Sequence, residues 1–394
     1  MDDAVYQGSA SVVSIEATKE TSSDVVISGA NSFDCGTTLA MSSRNDVDFA
    51  ASSVFTSTCA MNVVADSDCT GSGVIRVGTG STVSSSGNNV SFVSSDVALS
   101  GSVNAGLSSM SLSVCPGTSM DVGTDTVTGA IAHPYVLSGS ELSQLTCGDL
   151  SISLNGLGEI RVFTVAGVSG VSGLINLDAS NNAASTVVFE ESSSWPNLHA
   201  LAGNTVTVNA NVITSSGGDL HLESNMLGVA SIPDTIIGGN VQLIAGNALE
   251  IVLGGSNAVV ECTAPCTWVA ANGVQVLGGE VEIAGVSGSF EVDGDSDVDG
   301  TGVVSFSDAI TVTGTGINEL VLVGGDLSLA AAVNAGSSSI VLQPSSSASS
   351  IMSVGNNAAV GSYHVDNAEL ALLFTTGDLT LGGDLTESIV VDDA

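Results

Sequence analysis

Short runs in which apolar and polar residues alternate cover most of this chain. The alternation is clear in residues 205–209, Thr-Val-Thr-Val-Asn, and it continues from Val276 to Ile283. A period of two is typical of a β-strand that buries one face and exposes the other. Helical periodicity is almost absent, so the pattern predicts an all-β protein. Clear strand predictions are Val12–Ala17, Asp24–Ser28, Val74–Val77, Asn204–Asn209, Glu280–Ala284 and Ala309–Thr313.

A short glycine phrase opens several of these runs. Two glycines, one polar or acidic residue and then Leu or Val occur at Gly217–Leu220, Gly238–Val241, Gly278–Val281 and Gly324–Leu327. The second glycines are separated in turn by 21, 40 and 46 residues. These steps fit one, two and two units of ~20–23 residues, a period typical of solenoids. The repeat therefore predicts a β-solenoid, in which each coil buries its neighbour.

A longer repeat supports the same fold. Asp96–Leu99 matches Asp326–Leu329 at an offset of 230, and a second match begins at Tyr135 and Tyr363 with an offset of 228. Gly-Asp-Leu then follows in both places. The sequence thus indicates one block that occurs twice. The repeated block covers residues 96–162 and 326–391.

These repeats divide the chain into two predicted regions. We expect a continuous solenoid over residues 91–394, because both copies of the block lie within it. Residues 1–90 hold three of the seven cysteines and are predicted to form irregular N-terminal coils or a cap. The segment Glu190–His199, which contains Trp195 and Pro196, is predicted to bulge out as a loop.

Three stretches in which short strands follow glycine-rich or polar turns resemble the coils of a known family. They are Val333–Leu342 (Val-Asn-Ala-Gly-Ser-Ser-Ser-Ile-Val-Leu), Asp366–Leu370 followed by Thr376–Gly382, and Val206–Leu222. They are similar to the repeats of filamentous haemagglutinin-like adhesins, and the resemblance covers residues 90–394. It implies an all-β, right-handed parallel β-helix that is displayed outside the cell.

Charge excludes several classes of partner. The chain has 41 acidic and four basic residues, which give a net charge of −37. Four scattered bases do not make the basic patch that nucleic acid or an anionic membrane surface requires. No apolar run approaches the ~18–20 residues of a transmembrane helix. We therefore expect no nucleic-acid partner and no membrane insertion, with cations as the favoured ligands.

The cysteines and one sequon indicate an extracellular or cell-surface location. Cys262 and Cys266 flank Thr-Ala-Pro, a turn-like spacer, and a disulfide between them is predicted. The odd number of cysteines leaves one thiol free or paired between chains. Asn89-Val-Ser predicts a glycosylation site. The pairing is open for Cys35, Cys59, Cys69, Cys115 and Cys147.

The densest acidic run is a candidate calcium site. Asp295, Asp297 and Asp299 alternate with other residues and are followed by Gly300, which fits the start of an EF-hand loop. The twelfth position of that loop is Phe306 where an EF-hand has Glu, and no flanking helices are predicted. A looser calcium site on a turn is one interpretation, and a solvated acidic turn is the other. The residues concerned are Asp293, Asp295, Asp297 and Asp299.

A carbohydrate-active β-helix is the alternative hypothesis for function. Such an enzyme or glycan-binding module needs a base beside clustered acids, and aromatic platforms for sugar rings. Arg161 is the best basic candidate, although the favoured interpretation is an outward strand residue that pairs with Glu159 two residues earlier. The only reasonable platforms are Trp195, Trp268 and Tyr135. This scarcity favours a protein that is not an enzyme and has no cofactor other than calcium.

The leading hypothesis is a structural protein. The last strand-like segment contains Ile389, Val390 and Val391, which are candidate assembly residues because an exposed β edge pairs with further strands. We expect a subunit or module of an extracellular filament or surface adhesin stalk that assembles by end-to-end stacking. The expected partner is a second copy, head to tail, or the continuation of a longer chain. Glycans are left open as further ligands.

Overall fold

The chain forms two compact units, Met1–Val187 and Val188–Ala394. Strands dominate both units, and the described pairs of neighbouring strands run parallel. The fold is an all-β parallel β-helix, which confirms the predicted fold class. This computed structural model describes residues 5–7, 12–17, 23–71, 73–123, 133–225, 235–254, 259–263, 265–284, 288–313, 317–345, 350–355, 363–383 and 386–391.

The first unit contains short strands and one four-residue helix. Its helix is α1 (Gly139–Leu142). Its strands are β1 (Val5–Gln7), β2 (Val12–Ala17), β3 (Val25–Ile27), β4 (Ala30–Asp34), β5 (Thr38–Ser43), β6 (Val47–Phe49), β7 (Val54–Ser57), β8 (Ala60–Val64), β9 (Val74–Val77), β10 (Thr82–Ser84), β11 (Val90–Ser94), β12 (Asp96–Leu99), β13 (Ser102–Asn104), β14 (Met110–Val114), β15 (Met120–Gly123), β16 (Tyr135–Ser138), β17 (Leu145–Thr146), β18 (Leu150–Ser153), β19 (Glu159–Val162), β20 (Val165–Ala166), β21 (Ile175–Ala179) and β22 (Thr186–Phe189), which ends past the boundary.

The second unit has the same character. Its helix is α2 (Asn367–Leu370). Its strands are β23 (Ser193–Trp195), β24 (Leu198–Ala202), β25 (Val206–Val208), β26 (Val212–Thr214), β27 (Leu220–Ser224), β28 (Thr235–Ile237), β29 (Val241–Ala245), β30 (Leu249–Leu253), β31 (Val259–Cys262), β32 (Cys266–Ala270), β33 (Gly273–Leu277), β34 (Glu280–Ile283), β35 (Gly288–Asp293), β36 (Val303–Phe306), β37 (Ile310–Val312), β38 (Ile317–Gly324), β39 (Asp326–Leu329), β40 (Val333–Asn334), β41 (Ser339–Pro344), β42 (Ser350–Val354), β43 (Tyr363–Val365), β44 (Leu373–Phe374), β45 (Leu379–Leu381) and β46 (Thr386–Val391).

The sheets of the first unit are built by every third strand, as in a coil with three faces. One sheet has the order β1-β4-β7-β10-β13-β17, and a second contains β2-β5-β8-β11-β14-β18-β21. The third face is β3-β6-β9-β12, followed by the separate order β16-β15-β19. Strands before and after residue 90 join the same sheet, since β8 pairs with β11.

Two sets of strands share one topology, and we call them the first copy (β1–β19) and the second copy (β28–β46). Adding 27 to each label of the first copy gives the strand order of the second copy. The resulting orders are β28-β31-β34-β37-β40-β44, β29-β32-β35-β38-β41-β45, β30-β33-β36-β39 and β43-β42-β46. α1 and α2 follow equivalent strands, β16 and β43. The block that the sequence predicts at 96–162 and 326–391 is the C-terminal part of this larger correspondence.

The length of chain in one coil varies. Leu198 pairs with Leu220, and Leu220 pairs with Leu249, so two successive steps are 22 and 29 residues. The step from Met110 to Leu150 is 40 residues, because one extra strand and α1 are inserted there. The predicted unit of ~20–23 residues lies at the short end of this range, since corner loops lengthen many coils.

Columns of inward side chains form the core. In the second face of the first unit one column has register partners that are each at most 2% exposed: Leu39, Met61, Val90, Met110, Leu150 and Ile175. Full burial of one such side chain contributes about 1.5–3 kcal/mol. The neighbouring outward column is small and polar, with Ser91, Ser111 and Ser151 in register. The alternation in the sequence is therefore the in-and-out pattern of each strand.

The glycine phrase has a packing reason. Gly217 has φ +80°, which favours glycine, and a Cβ on Gly218 would lie 1.9 Å from the carbonyl oxygen of Pro196 in the preceding coil. Asp219 next accepts hydrogen bonds from the following coil, from the backbone N–H of Ala248 at 3.2 Å and the side-chain amide of Asn247 at 2.6 Å. The glycines allow one coil to approach closely, and the acid holds the next.

The prediction that Glu190–His199 bulges out as a loop is wrong. β23 lies within this segment and β24 begins at Leu198, so two regular strands occupy it. Pro196 lies at the bend between them, and the side chain of Trp195 points inward with 1% exposure. The Trp-Pro pair thus marks a corner between two faces, where the proline ends one strand without displacing the chain.

Candidate functional site

The predicted assembly residues lie in a coil whose strands are each the last described strand of their sheet. We call β44, β45 and β46 the C-terminal coil; they follow β40, β41 and β42 respectively. Ile389 is 44% exposed, Val390 40% and Val391 64%. Ile389 and Val391 pair with the inward residues Met352 and Val354. Their side chains thus continue core columns and remain half-exposed.

α2 positions this coil through a capping box. The Asp366 side chain accepts from the backbone N–H of Glu369, and the Glu369 side chain accepts from the N–H of Asp366. Glu369 also accepts from the N–H of Leu329 in the preceding coil at 3.4 Å. Burial raises the pKa of Glu369, although these backbone donors oppose the shift. The helix is therefore tied to the coil below it.

The backbone of β45 presents an open edge. The Asp378 carbonyl accepts from Ile340 at 2.8 Å, and the Gly382 N–H donates to Leu342 at 2.8 Å, both toward β41. In a parallel ladder alternate residues bond to opposite neighbours. Leu379 and Leu381, which lie between these contacts, therefore direct their N–H and C=O groups away from β41. No described strand pairs with this side of β45, and such a row of groups is a template for one more strand.

The first copy contains the same coil in a covered form. β17, β18 and β19 are its equivalents of the C-terminal coil, and we call them the covered coil. β18 pairs on its far side with β21, with Leu150 opposite Ile175. Leu150 is 1% exposed, whereas its counterpart Leu379 is 43% exposed. Ile160 and Val162, the counterparts of Ile389 and Val391, are fully buried. The residues of this coil are thus suited to a following coil.

Among the described residues, the first coil is open in a similar way. β1, β2 and β3 each begin their sheet, and Val13, Ile15 and Ala17 of β2 are inward but only partly buried. The equivalent strand β29 contains Val241, Leu243 and Ala245, which are at most 2% exposed. The strand β26 lies beside β29 and covers it. The difference again depends on a neighbouring coil.

Three of the four predicted calcium ligands come together. Oxygen atoms of Asp295, Asp297 and Asp299 lie within 4.8 Å of one another, and Asp293 is outside this group. Asp295 is fully buried and accepts from the N–H groups of Asp299 at 3.2 Å and Gly300 at 2.8 Å. Its pKa is raised, mainly by burial, and the pKa of Asp293 is raised for the same reason. Calcium binding there stays a prediction.

The turn around Asp295 has a counterpart that explains its shape without an ion. Asp66 accepts from the N–H groups of Thr70 and Gly71, each at 2.8 Å, in the same positions of the first copy. A serine hydroxyl donates to each aspartate as well, Ser95 to Asp66 and Ser345 to Asp295. The buried carboxylate thus organises the turn in both copies. Phe306, at the twelfth EF-hand position, is a core residue with 2% exposure.

Six cysteines pair and one is free. Cys262 pairs with Cys266, as predicted, with Cα atoms 6.7 Å apart. Cys35 pairs with Cys59 at 5.8 Å, and Cys69 pairs with Cys115 at 5.4 Å, all within the usual range. The free thiol is Cys147, whose pKa is raised to about 11 by burial. The predicted glycosylation residue, Asn89, is exposed in the turn before β11.

The residues proposed for carbohydrate chemistry are not available at the surface. Trp195, Trp268 and Tyr135 are each at most 1% exposed, so none is a platform for a sugar ring. Arg161 Nε lies within ion-pair distance of Glu159, at 3.7 Å, as predicted, but its nearest carboxylate is that of Asp121, at 2.9 Å, and the arginine is buried. Burial selects Asp121, which comes from the adjacent strand and is 1% exposed.

One polar cluster escaped the sequence analysis. His199 on β24 and His221 on β27 are register partners with ring centroids 4.6 Å apart. His221 also lies beside two carboxylates, with Nδ1 2.8 Å from Glu250 and Nε2 3.2 Å from Glu223. The two histidines are 22 residues apart and match no metal motif, so only the period of the coil could have revealed the pair.

Comparison with protein families, curated proteins and solved structures finds no match to this chain. The parallel β-helix is therefore established by the arrangement of its own strands. Within the described ranges no helix has both the length and the apolar character needed to span a membrane.

Proposed function

We propose that this chain is a structural module of an extracellular filament or surface stalk, extended by end-to-end stacking. In this proposal the C-terminal coil accepts the N-terminal coil (β1, β2 and β3) of a second copy as its next turn. The observation that carries it is internal to the molecule. The covered coil has the same place in the topology, similar inward residues and a following coil that buries them.

The chemistry of the end favours stacking over lateral contact. The inward side chains of the C-terminal coil are apolar, whereas the net charge of −37 opposes side-by-side association. Covering five partly exposed apolar side chains at this end contributes on the order of 5 kcal/mol to stacking. The cost of association is about 4–15 kcal/mol, so stacking requires a similar gain from the second copy and screened charge. The apolar residues are Leu373, Leu379, Leu381, Ile389 and Val391.

Three observations support an extracellular setting. Three cysteine pairs lie at disulfide distance, which is typical of oxidising compartments. Asn89 lies exposed within a glycosylation sequon. The coils also resemble the repeats of filamentous haemagglutinin-like adhesins, such as Val333–Leu342. Together they favour a displayed fibre or stalk.

The test is the assembly state of the 394-residue chain at 100–200 mM NaCl with millimolar CaCl2, conditions chosen to screen its charge. We expect sedimentation velocity to show species that lengthen with protein concentration, and electron microscopy to show linear fibres. The double variant Ile389→Asp/Val391→Asp should remain monomeric, because it adds charge to the stacking face. Val54→Asp/Val303→Asp, which adds the same charge to exposed residues of internal strands, should assemble like the parent.

Two results would overturn self-stacking. One is a parent chain that stays monomeric at high concentration in screened buffer, which would leave the continuation of a longer chain as the cover for this coil. The other is unchanged fibre length in Ile389→Asp/Val391→Asp. Circular dichroism of each variant distinguishes loss of assembly from loss of fold.

A further inference from the structure

We propose that His199, His221 and Glu223 bind a divalent transition-metal ion such as Zn²⁺. In this site Glu250 is a positioning residue, which orients His221 without touching the metal. The site lies on the outward face of three consecutive strands, β24, β27 and β30. It is independent of the stacking ends and of the acidic turn at Asp295.

The fold brings the ligands together by register. His199 is directly opposite His221 on the next coil, and His221 is opposite Glu250 on the coil after that. Glu223 is two residues beyond His221 on the same strand, so its side chain points to the same face. The four groups therefore lie on one outward patch, held by backbone ladders on both sides of β27. The ligand atoms of His199, His221 and Glu223 do not all lie within 4.8 Å of one another, so the ring of His199 has to turn toward an ion held by His221 and Glu223.

Each ring nitrogen of His221 faces a different carboxylate. Nδ1 lies 2.8 Å from the Glu250 carboxylate, and a proton on Nδ1 leaves the lone pair of Nε2 free for a metal. Metal-bound histidines commonly donate their other N–H to a carboxylate in this way. Nε2 lies 3.2 Å from the Glu223 oxygen, and two ligands about 2.0–2.1 Å from one tetrahedral zinc ion are separated by a similar distance.

His199 supplies a second imidazole. Its ring centroid is 4.6 Å from that of His221, and the rings are inclined by 35°, so the planes are not parallel. A neutral imidazole is the form that binds metal. Two imidazoles and one carboxylate are a set of three protein ligands found in zinc sites that keep one open position.

The ligand chemistry selects the class of ion. Ca²⁺ and Mg²⁺ prefer oxygen ligands, whereas imidazole nitrogen suits Zn²⁺, Cu²⁺ and Ni²⁺. The many other carboxylates of this chain therefore compete poorly for such an ion when Mg²⁺ is in excess. Glu223 is 26% exposed and His221 14%, so the ion can enter from solvent.

The experiment is a Zn²⁺ titration of the full chain in excess Mg²⁺, read by competition with a chromophoric chelator. We expect one tight site per chain in the parent protein. His199→Gln and His221→Gln should each weaken that site at least 100-fold. Glu250→Gln should weaken it by roughly 10–100-fold, the usual effect of losing an orienting partner.

A charge-matched control separates the site from the general acidity of the surface. Glu282→Gln removes a partly buried outward carboxylate on β34 and should leave Zn²⁺ binding unchanged. Zn²⁺ should also raise the melting temperature of the parent and not that of His221→Gln, while both melt alike without metal. Equal stoichiometry and affinity in the parent and His221→Gln would overturn the proposal. A parent that binds no Zn²⁺ in excess Mg²⁺ would overturn it as well.

Discussion

The covered coil and the C-terminal coil have the same place in two copies of one topology, yet one is buried and the other is open. Ile160 and Val162 are fully buried, whereas Ile389 and Val391 are 44% and 64% exposed. The strand pattern is therefore a property of each coil by itself. Burial is a property of the next coil, because a β-helix completes each layer of its core from the layer beyond it.

A second difference between the copies concerns their covalent bonds. The turn at Asp66 is tied by a disulfide from Cys69 to Cys115. In the second copy Val298 and Ser345 stand at the equivalent positions, and the hydroxyl of Ser345 donates to Asp295 instead. Cys69 and Val298 both have positive φ, 51° and 63°, so the backbone of the turn is kept. Hydrogen bonds thus hold the turn in the second copy, and the same turn is also cross-linked by a disulfide in the first copy.

A third difference is electrostatic. Asp121 and Arg161 form a buried pair in the first copy, and His133 Nδ1 lies 2.8 Å from Asp121 as well. The corresponding residues of the second copy are Ser353 and Val390, which have no charge. A buried pair is costly to break, because either partner alone leaves an unpaired charge in a dry site. Neutral residues avoid this requirement in a coil that is open to water.

The largest predicted contrast comes from placing a charge at equivalent positions in the two coils. Leu150→Asp should destabilise the first unit by more than about 5 kcal/mol, because it removes a core side chain and buries a carboxylate. Leu379→Asp should cost under about 1 kcal/mol in dilute monomer, since the carboxylate remains in water. Urea unfolding of both variants measures the contrast. Equal losses would mean that the C-terminal coil is already covered in the isolated chain.

The disulfide difference predicts the next effect in size. Cys69→Ser/Cys115→Ser should lower the free energy of unfolding by about 4 kcal/mol, the chain-entropy value for a loop of this length. Val298→Cys/Ser345→Cys should form the equivalent disulfide and raise the free energy of unfolding. The gain should be reduced by about 1 kcal/mol, because the hydrogen bond from Ser345 to Asp295 is lost. Thiol titration and thermal melting test both. A transplanted pair that stays reduced in oxidising buffer would show that the two turns are not equivalent.

The smallest predicted effect is a pH dependence from Asp96. Burial raises the pKa of Asp96 from its ordinary value of 3.8 to about 6. The backbone N–H of Val136 donates to this carboxylate and lowers the pKa, but burial has the larger effect. The folded chain thus holds more protons between these values, so this group makes stability fall as pH rises from about 4 to about 6.

Asp96→Asn should remove this loss of stability. The variant should therefore be more stable than the parent at pH 7, with a smaller difference at pH 4. The expected gain is on the order of 1 kcal/mol, because part of the carboxyl remains in contact with water. The measurement is the melting temperature of variant and parent from pH 4 to pH 7. Asp378→Asn, which removes an exposed carboxylate, is the control. An identical pH profile in Asp96→Asn and the parent would contradict the assignment.

Local sequence was a good guide wherever a strand alternates and is bounded by turn residues. Val12–Ala17 and Val74–Val77 were predicted with the bounds that β2 and β9 have, and Glu280–Ala284 differs from β34 by one residue. The failure at Glu190–His199 has a physical cause. Trp and Pro suggest a loop in isolation, but Trp195 fills the core and Pro196 turns the corner.

The candidate sites divide in the same way. The Cys262–Cys266 pair and the acidic turn are local in sequence, and their residues were found in advance. The nearest partner of Arg161 and the cluster at His221 were missed, because Asp121 is 40 residues from Arg161 and Glu250 is 29 residues from His221. Coils of 22, 29 and 40 residues share no fixed offset that a sequence period could supply.

The sequence by itself determined an all-β solenoid, since alternating strands, recurring glycine phrases and a repeated block together favour stacked coils. It also determined the acidic surface and the apolar composition of the core. The tertiary structure decided which residues meet between coils and which coil is left open. Both depend on register across loops of unequal length and on the presence of a neighbour, and neither property resides in a single strand.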